Sequence, residues 1–357
     1  MLPLVDLSTF LSGHEATSEC QSVARAFEEY GALFIRDPRV SHSENEDFLD
    51  LLERYFDRPE PVKRHDARPE LMYQVGYTPP FTERPRDHSE RAAAMDVSRR
   101  PNAVLGADPK ARYYWRVGQR PATTRFPELN AGNVIPDGFP DWSTRMDRWG
   151  RLMLDAALTV AEMTAIGFGL DRTCFTRVMR QAPHLLDPTG VDLDRYGELG
   201  TVCAGFHYDL NFLSLHGRVR FPGLVVWSRD ETRIDADVPV GCLLVQAGRQ
   251  LEYMTGGRVL NGFHEVAVSA ATQAAAREAA RQGRSRWRVT STFFAHIDSD
   301  AVLAPPDELA SRGARTAYPP LYAGDLVKEE LTALGLDRAA PQARSTAEDP
   351  TYSRTGL

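Results

Sequence analysis

The spacing of apolar residues changes along the chain and divides it into regions. Leu4 to Phe10 reads as a short extended run, and Ser18 with Gln21 forms a capping box ahead of QSVARAFEEY. That segment has helical spacing and stops at Gly31, after which Ala32 to Ile35 predicts a strand. The stretch Leu152 to Leu170 collects Asp155, Thr159 and Glu162 on one helical face, which predicts an amphipathic core helix ended by Gly167 and Gly169. From about Gly200 the pattern shortens to NFLSL, GLVVW, CLLVQ, RVLNGFHEVAVS and RWRVTSTFF, separated by Gly- or Asp-rich turns. A succession of short strands predicts a sandwich, a barrel or a jelly roll. Ala270 to Arg281 interrupts it as an inserted Ala-rich helix.

Composition refines this picture. Half of the chain's 24 prolines fall between Asp57 and Trp142, so that stretch predicts irregular covering structure. The polar, Pro-containing residues 337–357 predict a mobile tail. At 357 residues the length alone suggests two or three domains, and 42% hydrophobic residues suffice for a large core. Lys and Arg number 42 against 49 acidic residues, a formal charge of −7 with no basic block. This argues against nucleic acid or an anionic membrane as partner, and leaves a small molecule as the expected ligand. Four scattered cysteines without a C-x-x-C pair read as reduced, packed thiols. The opening MLPLVDLSTF has no basic n-region, so a cytoplasmic location is expected.

Candidate chemistry concentrates in His207-Tyr208-Asp209. Placed on a strand, residues i and i+2 face the same way, so His207 and Asp209 would converge while Tyr208 points elsewhere. His264 follows in a later strand. Two histidines and a carboxylate on one face of an octahedron suit non-haem Fe(II) with three positions left open. The tripeptide itself carries little information, since His-x-Asp is expected about 0.7 times by chance here, and His296-Ile297-Asp298 is a second match. His14, His42, His65, His88, His184 and His216 read as surface or locally hydrogen-bonded residues. In RWRVTSTFF, alternation puts Arg288, Thr290 and Thr292 on one face and Trp287, Val289 and Ser291 on the other. An inward Arg with a neighbouring hydroxyl makes a carboxylate receptor; on an exposed edge strand it would be merely solvated.

With these residues together, the sequence resembles the isopenicillin N synthase-like family of Fe(II)/2-oxoglutarate-dependent oxygenases. The likeness is carried by PLVDLSTF with ARAFEEYGALFIRD, by YFDRPEPVKRH leading to Gly76-Tyr77, by HYDLNFLSL, PGLVVWSRD and VPVGCLLVQAGRQLEYMTGGRVLNGFHEV, and by YPPLYAGDLVKEEL. It implies a mixed α and β fold with a double-stranded β-helix (jelly roll, cupin-like) core and flanking N-terminal helices. It also implies one integrated catalytic fold: a helical and Pro-rich cover over 1–180, the core over 181–300, a closing segment over 301–336 and the tail over 337–357. The implied metal ligands are His207, Asp209 and His264, with Arg288 and Thr290 holding 2-oxoglutarate; Fe(II), 2-oxoglutarate and molecular oxygen are the implied cofactors. Hydroxylation of an amino acid, peptide or specialised metabolite is the leading outcome, with desaturation or oxidative cyclisation open to the same residues. Two alternatives remain: an isopenicillin N synthase-like oxidase that does without 2-oxoglutarate, and a non-catalytic cupin-like binding protein. Departures from the family pattern are Glu265 where Arg is usual, Thr290 for the customary Ser, the long His264-to-Arg288 interval, and an unmatched strand before the metal motif. Phe206, Tyr208, Trp227, Phe294, Tyr73, Arg116 and Tyr113 are the candidate wall residues.

Overall fold

The computed structural model describes residues 1–103 and 106–337; the tail expected over 337–357 lies, from residue 338, outside them. The helix Thr17–Tyr30 ends at Gly31 in the left-handed conformation (φ 63°), and its start is Ala16–Thr17 with no side-chain cap, so the Ser18/Gln21 box does not form. The core helix runs over Trp142–Gly167. It lies against the first helix at Gly167, where an added Cβ would come within 2.2 Å of the Cys20 carbonyl oxygen. At Gly150 the same helix meets Val117 at a distance only glycine tolerates, which seats it on the sheet.

The strands that build the core are β1 (Leu4–Asp6), β2 (Ala32–Arg36), β3 (Gly76–Thr78), β4 (Ala111–Val117), β5 (His184–Asp187), β6 (Thr189–Asp192), β7 (Val202–His207), β8 (Leu213–His216), β9 (Leu224–Trp227), β10 (Arg233–Asp235), β11 (Leu243–Ala247), β12 (Phe263–Ala267), β13 (Trp287–Val289) and β14 (Thr292–Ala295). They form a main sheet in the order β1-β2-β11-β8-β14-β5-β4-β6-β13, with β3 on β4, and a second sheet β10-β9-β12-β7. Pairing is antiparallel except for β1 with β2. The N-terminal strands therefore extend the main sheet through the β2–β11 pair. This is the jelly-roll arrangement, with the Ala270–Arg281 helix inserted between β12 and β13 as its composition predicts.

Three expectations need correction. The extended run at Leu4 stops at Asp6, and Ser8–Leu11 turns into a short helix. The Pro-rich stretch is not all irregular, because β4 is a seven-residue strand with every residue buried. Its signal was ARYYWRV, aromatic and β-favouring, hidden by the prolines around it. The strands also begin before Gly200: β5 and β6 flank Pro188, β5 pairing with β4 and β14 and β6 with β4 and β13.

Candidate active site

β7 and β12 pair so that His207 and His264 stand directly opposite, with ring centroids 4.2 Å apart. Each imidazole directs Nδ1 to a backbone carbonyl, His207 to Gly205 O at 2.6 Å and His264 to Gly262 O at 3.2 Å. That hydrogen bond fixes the tautomer and leaves Nε2 as the lone-pair donor. The two Nε2 atoms lie 3.7 and 3.9 Å from Asp209 Oδ1 and Oδ2, and one donor atom from each residue falls within 4.8 Å of the others. The strand argument needs correction here, because β7 ends at His207 and Asp209 sits beyond it in irregular chain. Asp209 is aimed by other contacts: its backbone oxygen accepts from Arg249 N at 2.8 Å, and its Oδ2 accepts from the Ser214 hydroxyl. Burial, and then His264, hold the His207 pKa well below the usual imidazole value. Burial works to raise Asp209, but His264 and His207 hold it down at about 2. Neutral imidazoles beside a carboxylate are the donor set that a divalent iron takes.

These groups open into a chamber that Arg288, Thr290, Thr292 and Phe294 also line. Arg288 is 3% exposed, its Nε has no hydrogen-bond partner, and no carboxylate pairs with it among the described residues. Burial lowers its pKa, and only the Cys203 thiol works against that. Thr290 lies in the break between β13 and β14, where its Oγ1 accepts from Thr189 N at 3.1 Å and from Thr292 Oγ1 at 3.0 Å. The alternation survives the break. Trp287 stacks on Phe56, Val289 joins the core and Ser291 donates to Asn45 Oδ1, all away from the chamber.

Comparison with known proteins bears on this geometry. Residues 2–117 match the family model described as the N-terminal region of the non-haem dioxygenase in morphine synthesis. A Caulobacter crescentus structure assigned to the 2OG-Fe(II) oxygenase family superposes with a TM-score of 0.72 at 20% identity, covering 93% of this chain and 98% of its own. A full-length Neurospora crassa protein, solved with alpha-KG and thymine, gives 0.70 at 20% identity over 93% and 96% of the two chains. JOX2, solved with 2OG, Fe and JA, gives 0.65 at 16% identity over 96% and 86%. The chain has the 2OG-Fe(II) oxygenase fold. No curated protein matches it in sequence.

Within this oxygenase fold a second chamber shares His207, Asp209, Lys110, Arg112 and Phe294 with the first. Sequence reasoning missed its main feature, a buried ionic network. Lys110 pairs with Glu83 at 3.1 Å and with Asp108; Arg112 pairs with Glu83 at 2.9 Å and with Asp187. Asp108 also accepts from Gly205 N at 3.1 Å, which ties the network to the strand carrying His207. The signal was the alternation of Asp108, Lys110 and Arg112 on one face of β4 and its approach, visible only once β4 is recognised as a strand.

Of the candidate wall residues, Phe294 lines both chambers and Tyr208 the second. Phe206 and Trp227 pack with Phe263 and Met95 in a separate apolar cluster, Tyr113 is a core residue against Tyr55 and Trp142, and Tyr73 packs in a peripheral cluster with Leu210 nearby. Arg116 is spent on backbone carbonyls of Ala182 and Gln119. His184 and His296 are buried and His216 is half-buried; His184 bonds Met179 O five residues away, in line with a locally hydrogen-bonded reading. His216 lines the Arg288 chamber and bonds Thr292. His296 and Asp298 form no candidate metal cluster among the described residues.

Glu265 replaces the family's usual Arg for a visible reason. It is fully buried and accepts from Asn102 N at 3.0 Å and Asn102 Nδ2 at 2.8 Å, so it fastens the segment after Arg100 to β12.

Proposed function

We propose that this chain is a non-haem Fe(II)/2-oxoglutarate-dependent oxygenase of a small molecule, with hydroxylation as its leading reaction. One observation carries the reading: His207, Asp209 and His264 converge at the wall of a chamber whose only buried guanidinium without a carboxylate partner, among the described residues, is Arg288. The donor set fits Fe(II), and the unpaired guanidinium fits the far carboxylate of 2-oxoglutarate. Bound there, iron with its cosubstrate and molecular oxygen would supply the oxidising power that no side chain has.

The protein's own residues do the rest. His207 and His264 present Nε2 because Gly205 and Gly262 hold their Nδ1–H groups, and Ser214 keeps Asp209 turned toward them. Arg288 and the Thr290 hydroxyl orient the cosubstrate by pairing with its distal carboxylate. Phe294, common to both chambers, keeps the space between cosubstrate and substrate apolar. The second chamber receives the substrate. Four buried, free cysteines support a reducing compartment, which we assign as the cytoplasm. No helix among the described residues is long and apolar enough to cross a membrane.

The test is anaerobic loading. Fe(II) with 2-oxoglutarate should give a visible charge-transfer absorption in the native chain and none in Asp209→Ala, with both proteins equally folded by circular dichroism. On admitting air with a turned-over substrate, succinate and CO2 should appear in step with product. Oxidised product without succinate would replace this reading with the oxidase that spares 2-oxoglutarate.

A further inference from the structure

The two chambers differ in how their charges are paired, and that difference bears on what the second one binds. Arg86, Lys110 and Arg112 line it, and every one is already held. Arg86 faces Glu330 at 3.3 Å; Lys110 has Glu83 at 3.1 Å and Asp108; Arg112 has Glu83 at 2.9 Å and Asp187. Three cations thus stand against four carboxylates. A carboxylate entering here would have to displace one of these pairs and be desolvated beside the remaining acids. Neutral hydrogen-bonding capacity, by contrast, is unused. Tyr114 OH accepts from Arg112 at 3.2 Å, and its own proton finds no acceptor among the described residues. His296 is 3% exposed, lines the chamber, and its Nδ1 has no partner. Leu185, Leu210 and Leu331 supply apolar wall.

Building on the oxygenase reading above, we propose that the second chamber takes an uncharged small molecule of the amide or imide type, bearing both donors and acceptors, and excludes carboxylates. Glu83 is the specificity-determining residue. It bridges Lys110 and Arg112, so its neutralisation would leave each cation with one carboxylate instead of two, Asp108 for Lys110 and Asp187 for Arg112, and lower the repulsion an entering anion meets.

The experiment uses the full chain loaded anaerobically with Fe(II) and 2-oxoglutarate and three probe pairs that differ by a carboxylate: uracil and orotate, nicotinamide and nicotinate, benzamide and benzoate. Loading is read first from the visible absorption band; its absence strikes the oxygenase reading alone, and the same probes are then measured by equilibrium dialysis on metal-free Arg288→Met, whose first chamber offers acids no unpaired cation. Uncharged members should bind, and their acids should bind at least about tenfold more weakly. Glu83→Gln should shift the acid-to-amide ratio toward the acids by about tenfold or more. Its thermal midpoint is recorded as the check on folding, and the native panel decides alone if the variant does not fold. Acids that bind the native chain as tightly as their amides overturn the proposal, as does a panel in which no uncharged member binds. A folded Glu83→Gln with unchanged preference removes Glu83 from the specificity role and overturns that part.

Discussion

Arg288 and Arg112 are both buried arginines lining the chamber of His207, Asp209 and His264, yet one is alone and the other is doubly paired. The contrast separates two uses of charge inside a protein. A guanidinium gripped by Glu83 and Asp187 is satisfied by the fold, and its burial is part of how the fold holds together. A guanidinium with no carboxylate keeps its desolvation cost uncompensated, which is what the proposed 2-oxoglutarate site requires. Arg112→Met carries the largest expected effect. It would strand Asp187 and Glu83 without their shared partner, and removal of one member of a buried pair costs about 3–5 kcal/mol. Urea unfolding should show that loss; a change below about 1 kcal/mol would mean that the network is not what holds β4 to β5.

The matching change on the other side should leave the fold alone. Arg288→Met removes a buried, unpartnered charge, so the unfolding midpoint is expected to stay level or rise. Affinity for 2-oxoglutarate is expected to fall by about 10²–10³, the worth of a bidentate charge-assisted contact. Calorimetric titration measures it, and an unchanged affinity would place the cosubstrate's carboxylate elsewhere.

Histidines extend the same contrast to neutral groups. His184 uses both ring nitrogens, donating from Nε2 to Met179 O at 2.8 Å and accepting at Nδ1 from His296 N at 3.0 Å. Burial lowers its pKa to about 4. The unfolded chain takes up a proton near pH 6.5 that the folded chain refuses, so the His184 contribution is complete above pH 6.5 and is lost as pH falls toward 4. At pH 5 the loss is roughly 2 kcal/mol. His184→Gln should flatten this part of the pH–stability curve, and a curve of unchanged slope would assign the acid sensitivity to other groups.

How much of this was legible in the sequence follows from the range of the interactions. The convergence of His207, Asp209 and His264 could be read because motif order survives where overall identity does not, and the Arg288 face because period-2 alternation is a local property. The Ala270–Arg281 helix matches its composition residue for residue. What could not be read depends on distant partners. Glu83 meets Lys110 and Arg112, and Arg112 meets Asp187 75 residues away. Nothing in the local spacing announces such a closure. Asp209 was selected correctly as a partner of His207 in space, but through a turn held by Ser214 and Arg249, so the strand argument reached the right geometry by the wrong route. Glu265 teaches a related point: a departure from a family pattern became intelligible only when Asn102, 163 residues away, was found against it.

The smallest expected effect refines the solitary side of the comparison. Thr290 Oγ1 already accepts two hydrogen bonds, from Thr189 N and from the Thr292 hydroxyl, so its own proton is the group left to offer a ligand. Thr290→Ser keeps both acceptor roles and the donor, and should bind 2-oxoglutarate as the native chain does. Thr290→Val loses all three. It should weaken 2-oxoglutarate by about five- to tenfold, one hydrogen bond to a charged group, and lower stability by about 1 kcal/mol because the Thr189 N–H loses its acceptor. Measuring both variants separates the two contributions: a Val variant that loses stability but keeps its affinity would make Thr290 a brace for the β13–β14 break, and Arg288 would then hold the carboxylate alone.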